Sequence, residues 1–138
     1  MEELLVLKSG LEEILKKSAE LMSQKGYHAT TMRGLARATN MSSSGLYHYC
    51  SGKEELVYLI NLRGFSSLLK LAQELKSKDL SIESKLRELI KSHVHYFCKN
   101  RSDMKVMMFG THEMDEARSK RIRNLKESYR QVCCEIVK

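Results

Sequence analysis

Residues 30–56 read TTMRGLARATNMSSSGLYHYCSGKEEL. Two short apolar-periodic runs, 32–39 and 43–49, flank Asn40-Met41-Ser42, and a third run opens at Lys53. Each run follows a hydroxyl residue suited to capping a helix. Thr31 and Ser42 precede the first two. Ser51 precedes the third, with Glu54 three residues on in the pattern of a capping box. Asn40 tolerates the positive φ that a tight turn between helices requires. Met32, Leu35 and Ala36 face inward on the helical period, and Met41 joins them from the turn. The stretch therefore predicts a helix-turn-helix followed by a helix that begins on a lysine. From Leu21 to Lys53 the chain carries Lys25, Arg33, Arg37 and Lys53 and no acid. A compact helix pair with a cationic, hydroxyl-rich and aromatic face suits a phosphate backbone and the base edges beside it.

Upstream, Ser9-Gly10-Leu11-Glu12 fits a capping box, and Leu11, Ile14, Leu15, Ala19 and Met22 follow a helical period that Gly26 ends. Residues 2–7 read as a frayed extension of that helix. Downstream, a long helix runs from 53 to about 77 and a polar loop covers 76–80. Ser81 caps the next helix, with Leu86, Leu89, Ile90, His93, Val94 and Phe97 on one stripe. Asn100-Arg101-Ser102 breaks it. A short helix from Asp103 carries Met104, Val106, Met107, Met108 and Phe109. Asp115 caps a final helix whose seam is Ile122, Leu125, Tyr129, Val132, Cys133 and Ile136. With no proline and only 7 glycines, the chain is expected to be all-α. Its first domain is placed at residues 1–57 and its second at 58–138, with no flexible linker.

The net charge is +7, yet residues 1–57 hold seven basic and seven acidic side chains, so the whole excess lies in 58–138. The case for a polyanionic partner therefore rests on local segregation of charge rather than on the total. No apolar run approaches the ~18 residues of a membrane span, and the N-terminus MEELLVLK carries acids where a secretory signal needs bases. A cytoplasmic location is expected, where the four cysteines, lacking any CxxC pair, serve as reduced apolar residues. His95 and Cys98 share a helix face but lack a motif's worth of further donors, so no metal is expected. No nucleophile–base pair, phosphate-cradling glycine loop or paired catalytic carboxylates are visible. Neither an enzyme nor a cofactor is expected.

Residues 11–60 resemble the DNA-binding domain of the TetR family of bacterial transcriptional regulators. The resemblance is carried by Ile14-Leu15, Ala19, Gly26-Tyr27, Thr30-Thr31, Leu35-Ala36, Leu46-Tyr47, Tyr49, Lys53-Glu54 and Leu56, in order and spacing. It implies a homodimeric repressor on a palindromic operator of double-stranded DNA, with a helical ligand-binding and dimerisation bundle behind the three-helix reading domain. Ser43, Ser44 and Gly45 then open the helix that enters the major groove, and Tyr47 and His48 reach phosphates or base edges. Thr31 and Ser42 offer a hydroxyl and backbone N–H groups to phosphate, Arg33 adds a cation, and Lys53 matches the family's phosphate-anchoring lysine. The chain departs from the family at Cys50, where phenylalanine is usual, and at Asn40, where glycine is usual. The family's dimer interface comes from two further helices. This sequence stops at Lys138 within an apolar seam, so a chain truncated at its C-terminus is expected.

The second domain is expected to hold a small-molecule effector that releases the operator. Met104, Met107 and Met108 offer a soft apolar wall, and Tyr96, His93 and His112 offer polar groups. Arg118, Lys120, Arg121, Arg123, Lys126 and Arg130 crowd the last helix. Together these suggest an apolar or acyl-CoA-like ligand, similar to that of the family's acyl-CoA-responsive members. The rival reading is a small-molecule-binding or scaffold protein whose helix-turn-helix no longer reads DNA. The Ser-Ser-Gly start of the reading helix favours it.

Overall fold

A computed structural model describes the backbone of residues 2–138 and the side chains of residues 9–108 and 112–138. Seven α-helices follow one another among them: α1 (Glu2–Lys25), α2 (Met32–Ala38), α3 (Ser43–Tyr47), α4 (Lys53–Lys76), α5 (Ile82–Lys99), α6 (Arg101–Phe109) and α7 (Glu116–Ile136). A short 3-10 turn, Gly110–Glu113, joins the last two. No strand occurs among the described residues, and none of the helices is long and apolar enough to cross a membrane.

The first core lies where α1, α2, α3 and the start of α4 converge. Ile14, Leu15, Ala19 and Met22 of α1 meet Leu35, Ala36, Leu46 and Cys50, all nearly or fully buried. Leu56, Val57 and Ile60 of α4 close this core, and Val106 of α6 belongs to it too. The helix that leaves the reading domain is thus part of its core, and α4 links the two halves as one rigid rod. Two left-handed residues set the turns expected for them, Gly26 at φ +84 and Asn40 at φ 55. Thr30 locks the first turn by donating its hydroxyl to the Gly26 carbonyl at 2.7 Å.

The cap expected at Ser9 is not used, because α1 begins at Glu2 and runs straight through it. A local cap motif does not stop a helix already propagating. Gly10, which costs about 1 kcal/mol in a helix interior, has a steric purpose here: a Cβ on it would lie 2.7 Å from the Tyr49 hydroxyl oxygen. The side chains of residues 2–7, read above as a loose extension, lie outside the described residues.

The second half is built on α4. Gly64 opens a notch in which Met107 sits, and a Cβ at that position would collide with the Met107 Sδ. Farther along, Ala72, Leu75 and Ile136 form a small second core, with Leu89, Tyr129, Val132 and Cys133 packed on it. Asp115 caps α7 by accepting the Arg118 N–H at 2.8 Å, and Ser81 caps α5 by accepting the Ser84 N–H at 3.2 Å. Between α5 and α6 the break narrows to Asn100, and α6 starts at Arg101 rather than at Asp103. The stripe expected on α5 divides. Leu89 and His93 turn inward, His93 Nδ1 standing 2.9 Å from the Tyr129 hydroxyl. Ile82, Leu86, Ile90, Val94 and Phe97 form an exposed apolar row, and no α5 residue is buried.

Candidate nucleic-acid interface

The reading head begins with two matched caps. The Gly34 N–H donates to Thr31 Oγ1 and the Gly45 N–H to Ser42 Oγ, both at 3.0 Å. A Cβ at the third helical position would approach the cap oxygen closely, to 3.2 Å at Gly34 and 3.1 Å at Gly45. A hydroxyl that accepts a backbone bond keeps its own O–H to donate, so capping leaves Thr31 and Ser42 able to meet a phosphate oxygen.

Leu46 and Cys50 bury the back of α3, and burial, the largest influence, holds the Cys50 thiol above its ordinary pKa and so neutral. The opposite face is bare. Ser42, Ser43, Ser44 and His48 are exposed, and Tyr47 is 52% exposed. Tyr47 and Tyr49 take different parts: Tyr47 stands into solvent, while half-buried Tyr49 wedges its hydroxyl against Gly10 of α1. Arg33 and Arg37 project from α2.

Lys53 is held rather than loose. Its Nζ donates to the Tyr27 carbonyl at 2.9 Å and lies 4.3 Å over the Tyr27 ring centre. That fixes the ammonium in direction and leaves two N–H groups for an anion. Tyr27 is the positioning residue that reading the motif alone did not single out, although the Gly26-Tyr27 pair was its signal. Burial first, then Glu113 and Glu54, push its phenol pKa upward, so it stays a neutral hydroxyl.

The cap expected between Ser51 and Glu54 is shifted by one residue. Gly52 is the cap of α4, and Glu55 reaches back to accept the Ser51 N–H at 2.6 Å and the Ser51 hydroxyl at 2.8 Å. The backbone bond is the main reason its carboxyl lies below the ordinary range. Glu54 is thereby released to accept from the Asp115 N–H at 2.9 Å and from Arg118 Nη1 at 3.2 Å, tying the start of α4 to the start of α7.

Of the residues suggested for a ligand, Tyr96, Met104, Met107, Met108 and His112 do not converge. Tyr96 lines an open groove of about 1180 Å³ between α1, α4, α5 and α6, and the other four do not line it. Met107 fills the Gly64 notch, Met104 is half-buried, Met108 is 78% exposed and His112 is exposed. The Phe109 side chain lies outside the described residues. The basic residues of α7 are partly engaged: Arg118 with Glu54 and Asp115, Arg123 with Glu116, Arg130 with Glu127, and Lys126 over the Phe65 ring. Among the described residues no group of three or more His, Cys, Asp or Glu side chains is placed to hold a metal ion.

Residues 14–60 match the model of the bacterial regulatory proteins of the tetR family. The HTH-type transcriptional repressor KstR2 of Rhodococcus jostii (strain RHA1) is 36% identical over 79 residues, which cover 56% of this chain and 38% of that repressor. The chain thus matches well under half the length of this curated relative. Among solved structures, the TetR family transcriptional regulator PfmR from Thermus thermophilus superposes with a TM-score of 0.85 at 27% identity, covering 90% of this chain and 68% of that one. AibR, solved with isovaleryl coenzyme A and operator DNA, superposes with a TM-score of 0.73 at 23% identity over 89% of this chain and 67% of that one, a likeness of fold. Residues 14–60 thus carry a tetR-type helix-turn-helix on α1–α4, and the helices behind it share the fold of the TetR family regulator PfmR.

Proposed function

We propose that the chain is a ligand-responsive transcriptional repressor that reads double-stranded DNA with α3. The observation that carries this reading is the division of α3: Leu46 is fully buried, while Ser43, Ser44, Tyr47 and His48 face solvent. A helix anchored at its back and bare at its front can enter a major groove without unfolding. Ser43, Ser44, Gly45, Tyr47 and His48 would meet base edges and phosphates. Thr31, Arg33, Ser42 and Lys53 would grip the backbone on either side. With three small residues at the start of α3, part of the selectivity would come from DNA shape.

In this reading residues 1–57 read DNA, while 58–138 receive the effector and support pairing. Two copies on a palindrome would place their α3 helices about 34 Å apart, one turn of duplex. An effector acts if it binds one spacing of the heads better than another. The ties that would transmit such a change are on hand: Glu54 to Arg118, Arg63 to Glu12 and Asp103, and Lys105 to the Ser23 carbonyl.

A fluorescence-anisotropy titration tests the reading. The duplex upstream of the chain's own gene is compared with a scrambled duplex at two salt concentrations. Selective binding that weakens with salt is expected. Equal or absent binding to both duplexes would favour the scaffold reading.

A further inference from the structure

The groove between α1, α4, α5 and α6 is not used by the reading head, and its chemistry is distinctive. Leu71 is the sole aliphatic side chain among its lining residues. The α1 wall is acidic, with Glu12, Glu13 and Glu20 against Lys16. The α5–α6 wall is basic at its rim, with Lys91, Lys99 and Arg101 against Glu88, while the acid of its floor, Asp103, is taken up by Arg63. Lys91 has Glu88 at 3.8 Å, whereas Lys99 and Arg101 enter no ion pair among the described residues. Apart from Leu71, the apolar surface here comes from ring edges and the alkyl stems of polar and charged side chains, so an acyl chain would lie among charged heads. A purely anionic ligand meets three glutamates, and a purely cationic one meets Arg63, Lys99 and Arg101. A ligand bearing both charges satisfies both walls.

Arg63 supplies the exchangeable contact. Its Nη2 donates to Asp103 Oδ2 at 2.5 Å, and that carboxylate is only 9% exposed. Its Nη1 donates to Glu12 Oε2 at 2.7 Å, and that carboxylate is 62% exposed. Breaking the Asp103 bond would strand a nearly buried charge. Letting Glu12 go returns it to water at small cost, since exposed ion pairs are weak. Tyr96, its hydroxyl hydrogen-bonded with Ser67, adds an oriented polar group on the same floor.

We propose that this groove binds an amino acid or short peptide whose carboxylate replaces Glu12 on Arg63 while its ammonium faces Glu13 and Glu20. Glu12 belongs to α1 and Arg63 to α4, so the exchange unfastens one tie between the reading head and the bundle. That regulatory consequence rests on the repressor reading; the binding does not.

Calorimetric titration with free L-amino acids and tripeptides tests the site, with sodium octanoate and butylamine as single-charge controls. At least one zwitterion is expected to bind, and neither control. Arg63→Lys keeps the charge but loses the second donor nitrogen of the planar fork, and should weaken binding at least tenfold. Glu12→Gln, on an exposed side chain, should leave folding intact and tighten binding severalfold by removing the competing carboxylate. Absence of binding by every zwitterion, equal binding of a control, or affinity unmoved by Glu12→Gln would overturn the proposal. Duplex titration on the same samples separates the two readings. A chain that binds a zwitterion at Arg63 but no duplex contradicts the repressor reading and leaves the site standing. A chain that binds duplex but no zwitterion contradicts the site alone.

Discussion

Ser18 is fully buried in α1, and its Oγ has no hydrogen-bond partner among the described residues. An orphaned buried hydroxyl costs on the order of 1–3 kcal/mol. Ser18→Ala removes the orphan, leaves almost no cavity and favours the helix. It should stabilise the chain by about 1 kcal/mol, seen as a melting point a few degrees higher. An unchanged or lower melting point would mean the hydroxyl is satisfied. Lys53 makes a different residue-scale prediction. If its free N–H groups meet one phosphate, Lys53→Ala should weaken binding to every duplex and reduce the salt slope by about 1. A change confined to the specific duplex would assign Lys53 to base reading instead. At this scale the sequence was partly legible. Thr31, Ser42 and Asp115 announce themselves as caps because cap chemistry is local. The steric duty of Gly10 toward Tyr49 and the fit of Met107 to Gly64 join residues 39 and 43 positions apart, and no local pattern encodes them.

Among the elements, the corner between α3 and α4 is the one whose stability should follow pH. Glu55 has a depressed pKa because it accepts the Ser51 N–H. A carboxyl lowered on folding adds stability that is present above its ordinary value of 4.5 and lost as pH falls through the lower folded value. Glu55→Gln should therefore destabilise the chain by about 1 kcal/mol at pH 7. The gap between variant and parent should narrow as pH falls from 7 to 3. Urea midpoints at the two pH values measure it, and a gap undiminished at pH 3 would assign the effect to packing. Helix existence and order were readable throughout, from spacing and caps. The cap at the start of α4 slipped where two carboxylates could reach back to Ser51. Glu55 takes the Ser51 N–H and hydroxyl, while Glu54 is engaged by Arg118 from 64 residues away.

For the whole molecule, two features govern behaviour. Ties between distant helices, Glu54 to Arg118 and Arg63 to Glu12 and Asp103, join the helix-turn-helix to the bundle. The bare row Ile82, Leu86, Ile90, Val94 and Phe97 gives the bundle an apolar face. Its spacing is nearly symmetric about Ile90, so two antiparallel copies would set Leu86 of each opposite Val94 of the other. If two copies pair through this face, Ile90→Lys should weaken self-association at least tenfold in sedimentation equilibrium without lowering the melting point. Unchanged association would rule this face out as the contact. The reading head was legible in the sequence because its chemistry sits within 27 consecutive residues. The groove was not, because its walls come from four helices and its charges read, one at a time, as ordinary solvated faces. The methionines of α6 invited a pocket for the same reason: periodicity shows that a side chain is apolar, but not whether another helix has already filled the space beside it.

On the proposed reading α3 meets DNA with a surface the fold does not need. Tyr47→Ala separates the two, with operator anisotropy and thermal melting measured on the same preparation. Tyr47 is exposed and supports no core, so at least a tenfold loss of affinity for the selective duplex is expected, with an unchanged melting point. Unchanged affinity, or a loss matched by a lower melting point, would contradict that reading.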